Sequence, residues 1–223
     1  MYQNTYVVIP AKDEATRIGS VILNTRDCGF HNIIVVDDGS SDHTGDIALK
    51  CGATLVTHYI NLGPGAATQS GIEYAIKLGA QNIVTIDADQ QHYPQDIYAL
   101  VQKLEEENLD IVLGSRFLKD NHQVPYSRIF YNKIANIISS LATGIVVSDS
   151  QSGLKAFTAS FAKKSKLQHC GFEFCLELLR YIKIHKAKYA EVPIRVMYTK
   201  ETMNKGQSLL VGLRMLNRIF KVF

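Results

Sequence analysis

"IVTIDADQQHYPQDI", residues 83–97, is the stretch on which the fold turns. An apolar run reads as a buried strand and stops abruptly in Asp87-Ala88-Asp89-Gln90-Gln91-His92. Beyond it, 94–108 ("PQDIYALVQKLEEEN") has the period of an amphipathic helix. Strand, polar turn and helix make one βα unit. In extended backbone, residues i and i+2 point to the same side, so Asp87 and Asp89 converge. Like charges that close cost about 4 kcal/mol at an effective dielectric of 20. Either a cation sits between them or water screens them in a loop.

The same unit repeats on the N-terminal side. Short apolar strands are expected at 5–10, 32–38, "TLVTH" (54–58), "NIVTID" (82–87) and "LDIVLGS" (109–115). Helices are expected at 14–27, from "SDHTGDIALKCG" with Ser or Asp capping and Gly52 closing, at 64–79 with Pro64 in the first turn and Gly79 at the end, and at 94–108. Regular alternation predicts an α/β fold with a mainly parallel sheet flanked by helices. Past about residue 115 the alternation weakens. Two long amphipathic segments follow, 127–143 and 207–223. One domain with helical additions accounts for the whole chain.

Composition sets the outer bounds. A chain of 223 residues with 46% hydrophobic content is large enough for a substantial core and is not a disordered chain. A net charge of +3 gives no general reason to expect nucleic acid. The four cysteines (Cys28, Cys51, Cys170, Cys175) form no CxxC pair, so a zinc site is not expected and reduced thiols in a cytosolic protein are. The start, "MYQNTYVVIPAKDE", runs straight into a strand without the features of a signal peptide. No run of about 18 apolar residues predicts a transmembrane helix.

In open α/β sheets, ligands bind beyond the carboxyl ends of the strands. Those ends carry the polar residues here: Pro10-Ala11-Lys12-Asp13-Glu14, Asp37-Asp38-Gly39-Ser40-Ser41-Asp42, Asp87-Ala88-Asp89 and Gly114-Ser115-Arg116. Each alone reads as a solvated loop or a helix cap; four on one edge read as a site. "NLGPGAATQSG" (61–71) is either a phosphate cradle before a helix or a tight turn for close helix packing. It is not G-x-G-x-x-G, which weakens any dinucleotide reading.

Taken in order, "VVIPAKDE", "VVDDGSSDHT", "NLGPGAATQSG", "IDADQQHYPQDI", "VLGSRF" and "DSQSGLKAF" closely resemble the family 2 glycosyltransferases, and within them the dolichyl-phosphate or polyprenyl-phosphate sugar synthases (mannose, glucose or GlcNAc). The resemblance covers essentially residues 5–210. It implies a GT-A nucleotide-sugar-binding fold, about 1–115 forming the nucleotide half and about 116–223 the acceptor half. It places Pro10, Lys12 and Glu14 at the nucleotide, and Val36 and Asp38 at base and ribose. Asp87, Ala88 and Asp89 match the D-x-D motif, whose carboxylates meet the diphosphate through Mg2+ or Mn2+, with Gln91 completing the metal shell. Arg116, Arg128 and Asn132 match acceptor-phosphate positions. The chain departs from the family where Lys12 replaces an aromatic residue, where Gln90 stands at a frequent glycine, and in "NKGQSLL", where Leu209 replaces a lysine and Lys205 or Lys200 is left to supply the charge.

A phosphate acceptor needs no general base, since its second ionisation lies near pH 6. It needs cations, and Arg116 and Arg128 suit phosphate. Asp149 in "DSQSG" is a base candidate for a hydroxyl acceptor, or a residue that orients the loop or the sugar. On 127–144, Phe130, Ile134, Ile137, Ile138 and Leu141 share a helical face, which is either a core face or a membrane-interface face. Residues 208–223 interleave Arg214, Arg218 and Lys221 with apolar residues, which suits an anionic lipid surface. The implied reaction moves a sugar, with inversion, from a UDP- or GDP-sugar to a lipid phosphate on the cytoplasmic face of a membrane. The protein would be peripheral there, with a membrane-anchoring partner protein conceivable. The other readings are a hydroxyl-acceptor transferase and a non-catalytic nucleotide-sugar-binding subunit.

Overall fold

The computed structural model describes residues 2–119 and 126–197, with the side chains of 126–128 and 131 outside that description. The expectations placed on Lys205, Lys200 and 207–223, and on the side chain of Arg128, therefore lie outside the described residues.

The first half follows the βα alternation: β1 (Thr5–Ala11), α1 (Ile18–Asp27), β2 (Asn32–Asp38), α2 (Thr44–Lys50), β3 (Thr54–His58), α3 (Pro64–Lys77), β4 (Asn82–Thr85), α4 (Asp96–Glu106) and β5 (Ile111–Ser115). α5 (Tyr126–Thr143), β6 (Lys155–Thr158), α6 (Ala159–Lys164), α7 (Phe174–His185) and β7 (Tyr189–Pro193) follow. The seven strands form one sheet in the order β3-β2-β1-β4-β6-β5-β7. β6 runs antiparallel to both β4 and β5, and the remaining pairs are parallel. With β6 between them, β4 and β5 point the same way. The carboxyl ends of β1, β2, β4 and β5 therefore share one edge.

Period-two burial sends alternate residues to two cores. Val7, Ile9, Val84, Ile86 and Val112 pack with α1 and α4 on one face. Val8, Ile34, Val36, Ile83, Ile111 and Leu113 pack with α3 and α7 on the other. Both faces are covered, which is why the strands read as continuous apolar runs. α3 rides close over the sheet: a Cβ on Gly71 would lie 2.3 Å from Val8 Cγ1. α1 begins at Ile18 rather than near 14 because Glu14 and Ala15 are held by another loop: Thr44 Oγ1 accepts from Glu14 N at 2.8 Å and Asp42 Oδ2 from Ala15 N at 3.1 Å.

Candidate active site

At the edge formed by β1 and β2, the polar residues first organise one another. Asp13 adopts φ 54° and accepts from Ser41 N at 2.7 Å and Ser41 Oγ at 3.0 Å. The Ser41 amide, then Lys12 and the Ser41 hydroxyl, pull its carboxyl down to about 2. Lys12 Nζ donates to Gly39 O at 3.1 Å. Glu14 is buried and takes Arg17 Nη1 at 2.7 Å. Pro10 pairs with Val36 across the ladder, and Val36 is wholly buried in the sheet. Any contact from Val36 to a ligand runs through its backbone.

Asp38 is buried and fully engaged. It accepts from Leu62 N at 2.9 Å and Gly63 N at 2.7 Å, and Oδ1 lies 2.7 Å from His58 Nδ1. His58 Nε2 reaches Ser70 Oγ at 3.0 Å. The Asp38 side chain thus ties β2, β3, α3 and the 59–63 loop together. Gly39, at φ 66°, lets that loop close: a Cβ there would lie 2.7 Å from Asn61 N.

The glycine turn before α3 is a packing device rather than a phosphate cradle. Gly65 N donates to Cys170 O at 2.8 Å. A Cβ on Gly63 would lie 2.4 Å from Cys170 O, and one on Gly65 2.0 Å from His169 O. Carbonyl oxygens facing this helix start leave it unsuited to an anion.

Asp87 and Asp89 follow β4 at the centre of the edge. Partial burial opposes charge on Asp87, but contact with His92 and the fields of His92, Lys155 and Arg116 outweigh it and hold its carboxyl below the usual range. Burial, then the charge of Asp87, push Asp89 the other way, against the help of the Gln91 amide, which donates to Oδ1 at 2.9 Å. Protein cations offset the charge of Asp87 but not that of Asp89, and two carboxylates driven apart in this way present oxygens that suit a hard divalent ion. The Asp87 carboxylate lies directly against the Gly153 backbone, where a Cβ would come within 2.0 Å of Oδ2. Among the described residues no group of three or more His, Cys, Asp and Glu side chains is placed to hold a metal by itself. Mg2+ in particular usually binds through one or two carboxylates plus water and substrate phosphates, so two carboxylates suffice. Ala88 is buried, and Gln90 adopts φ 63°. Glycine would adopt this left-handed backbone without strain.

Past β5, Arg116 Nε donates to Asp149 Oδ2 at 2.6 Å and Nη2 to Oδ1 at 2.8 Å, and Arg116 N adds a bond to Oδ2 at 3.1 Å. Both oxygens of Asp149 are occupied and the residue is buried, so it orients the arginine. Glu191 on β7 accepts from Ser148 N at 2.9 Å and Ser148 Oγ at 2.7 Å, and Asn136 on α5 holds Ser148 O at 2.5 Å and Ser150 N at 2.9 Å. These bonds fix the loop that carries Asp149. Beside it lies a groove of about 690 Å3 lined by Arg116, Lys119, Lys133, Asn136, Ile137 and Leu141, among others. Asn132, half-buried, is not among its lining residues. α5 turns its polar residues inward, Ser139 and Thr143 being buried, and leaves Phe130, Ile137 and Leu141 62%, 60% and 82% exposed. Among the described residues, the core-face reading of this helix is therefore wrong.

Sequence reasoning did not single out His92, Asn136, Lys155 or Glu191. His92 ends the polar run 87–92 and had a positional signal. Glu191 had none, because it comes from a strand 42 residues beyond Asp149.

A family model described as Glycosyl transferase family 2 matches residues 6–166. The UDP-N-acetylglucosamine–dolichyl-phosphate N-acetylglucosaminyltransferase of Methanococcus voltae is 34% identical over 235 residues, 96% of this chain and 94% of that protein. An uncharacterized protein of Methanocaldococcus jannaschii is 37% identical over 224 residues, 98% of this chain and 92% of that protein. The polyprenol monophosphomannose synthase of Mycolicibacterium smegmatis is 26% identical, over 99% of this chain and 86% of that protein. Among solved structures, glucosyl-3-phosphoglycerate synthase of Mycobacterium tuberculosis with Mn2+, UDP and phosphoglyceric acid superposes with TM-score 0.70 at 21% identity, covering 97% of this chain and 78% of that one. It shares the fold.

Proposed function

The chain belongs to glycosyl transferase family 2, and on that premise we propose that it moves one sugar from a UDP- or GDP-sugar to a polyprenyl or dolichyl phosphate, with inversion and with Mg2+ or Mn2+ bound. The observation that carries the reading is the groove: a buried, carboxylate-oriented arginine beside an apolar helix face left open to solvent. Such a surface suits an acceptor with a phosphate head and a hydrocarbon tail. The named relatives from Methanococcus voltae and Mycolicibacterium smegmatis, called dolichyl-phosphate and polyprenol-phosphate enzymes, support it. The Mycobacterium tuberculosis structure, with Mn2+ and UDP, supports the donor and metal.

Asp87 and Asp89 would hold the ion, which when bound neutralises charge on the departing diphosphate. Gln91 stands beside them, its backbone N–H donating to Asp89 Oδ1. Pro10, Lys12, Glu14, Val36 and Asp38 shape the base end. Arg116, with Arg128 on α5, positions the acceptor phosphate, which attacks as an oxyanion already formed at neutral pH; Asn132, outside the groove lining, is left without that role. No proton has to be removed, and the burial of Asp149 against Arg116 speaks against a hydroxyl acceptor activated by that carboxylate. No helix among the described residues is long and apolar enough to cross a membrane. The α5 face would instead rest on the cytoplasmic face of one, and the cationic 207–223 segment would add to it.

The test is purified protein with Mg2+ or Mn2+, polyprenyl phosphate and a panel of radiolabelled UDP- and GDP-sugars. One donor labels the lipid. No lipid product from any donor refutes the proposal.

A further inference from the structure

We infer that His92 is a positioning residue that fixes the orientation of the Asp87 carboxylate; the inference rests on the metal reading above. The His92 side chain is 4% exposed and its Nε2 lies 3.3 Å from Asp87 Oδ2. Asp87 is 46% exposed, so one end of the pair is anchored and the other faces the edge. A carboxylate only accepts, so Nε2 carries the proton and donates. The other ring nitrogen, Nδ1, is buried with no hydrogen-bond partner among the described residues. A buried polar atom left so is destabilising, and the contact to Asp87 gives a reason to retain it.

The imidazole is held by more than its own packing. His92 pairs with Val196 in an isolated antiparallel bridge, and Met197 N donates to Gln91 O at 2.9 Å. Arg195 grips Asp96 through its backbone N at 2.7 Å and its Nη2 at 2.7 Å, and its guanidinium lies 4.9 Å from the Tyr93 ring centroid. The 194–197 segment thus clamps the whole 91–96 turn. On the other side, the Gly153 backbone crowds Asp87 so closely that no Cβ fits. Between a clamped donor and a backbone wall, the carboxylate has one orientation. His92 is a poor ligand itself, because Nε2 is used on Asp87 and Nδ1 is buried. It belongs to the outer partners that aim a ligand, whose removal typically lowers metal affinity 10–100-fold.

The experiment titrates Mn2+ into the full chain with saturating UDP or GDP, read by electron paramagnetic resonance of free Mn2+, with thermal midpoints checked in parallel. His92→Leu is expected to weaken Mn2+ binding about 10–100-fold. His92→Gln, whose amide reaches as far as Nε2, is expected to stay within about threefold of wild type, since the donor is kept. If His92→Leu does not fold, His92→Asn carries the same expected loss, its amide falling short of the carboxylate. Wild-type protein that binds no Mn2+ overturns the metal reading and this inference with it. Wild type that binds, with His92→Leu or His92→Asn folded and matching it, overturns this inference alone.

Discussion

Removal of Asp149 should cost more stability than almost any other single change at the site. Asp149 has no exposed side-chain surface and Arg116 only 9%. Asp149→Ala deletes two side-chain bonds at 2.6 and 2.8 Å and a backbone bond at 3.1 Å, removing the carboxylate that neutralises a buried guanidinium. Each charge-assisted bond is worth about 1.5–3 kcal/mol, and breaking a buried pair from one side costs about 3–5 kcal/mol. For a domain of this size that is a fall of roughly 6–20 °C in melting temperature. Urea unfolding followed by circular dichroism measures it. The double variant Arg116→Met with Asp149→Leu should recover most of the loss, because an apolar pair of similar volume is often neutral. It should still fail to transfer sugar, because the acceptor cation is gone. A cost under about 1 kcal/mol for Asp149→Ala would be that of a solvent-screened pair and would refute the buried-pair reasoning.

Gly153→Ala should weaken Mn2+–nucleotide binding at least about tenfold by calorimetry, because the new methyl occupies the position of the Asp87 carboxylate. At Gln90, where φ is 63°, Gln90→Val should lower unfolding stability by about 1–2 kcal/mol while Gln90→Gly does not lower it. Phe130→Ser with Leu141→Ser should change stability by less than about 0.5 kcal/mol per site, since both side chains are exposed. The same pair should markedly reduce co-sedimentation with anionic liposomes; undiminished binding would remove α5 from the membrane surface.

The alternating half of the fold was legible because its inner strands are buried on both faces and each helix ends at a glycine or follows a proline. Legibility ended where β6 begins. Four residues of "KAFT" are too short to show a period, and its antiparallel place between β4 and β5 depends on partners far along the chain. The D-x-D carboxylates were visible because their spacing is local. The role of Asp149 was not, since its partner lies 33 residues away. The glycines at 63 and 65 misled in one respect: a close approach to a phosphate and a close approach to the backbone at 169–171 need the same absence of Cβ. Gln90 looked arbitrary until its backbone angle was known.

The most direct test offers the wild-type protein two acceptors that differ in one group, polyprenyl phosphate and the corresponding polyprenol, with the labelled donor and Mn2+, and repeats both with excess EDTA. An arginine-held phosphate that needs no base predicts label in the phosphate-linked lipid alone, and loss of that label with EDTA. Equal transfer to the alcohol, or full transfer in EDTA, would contradict the account.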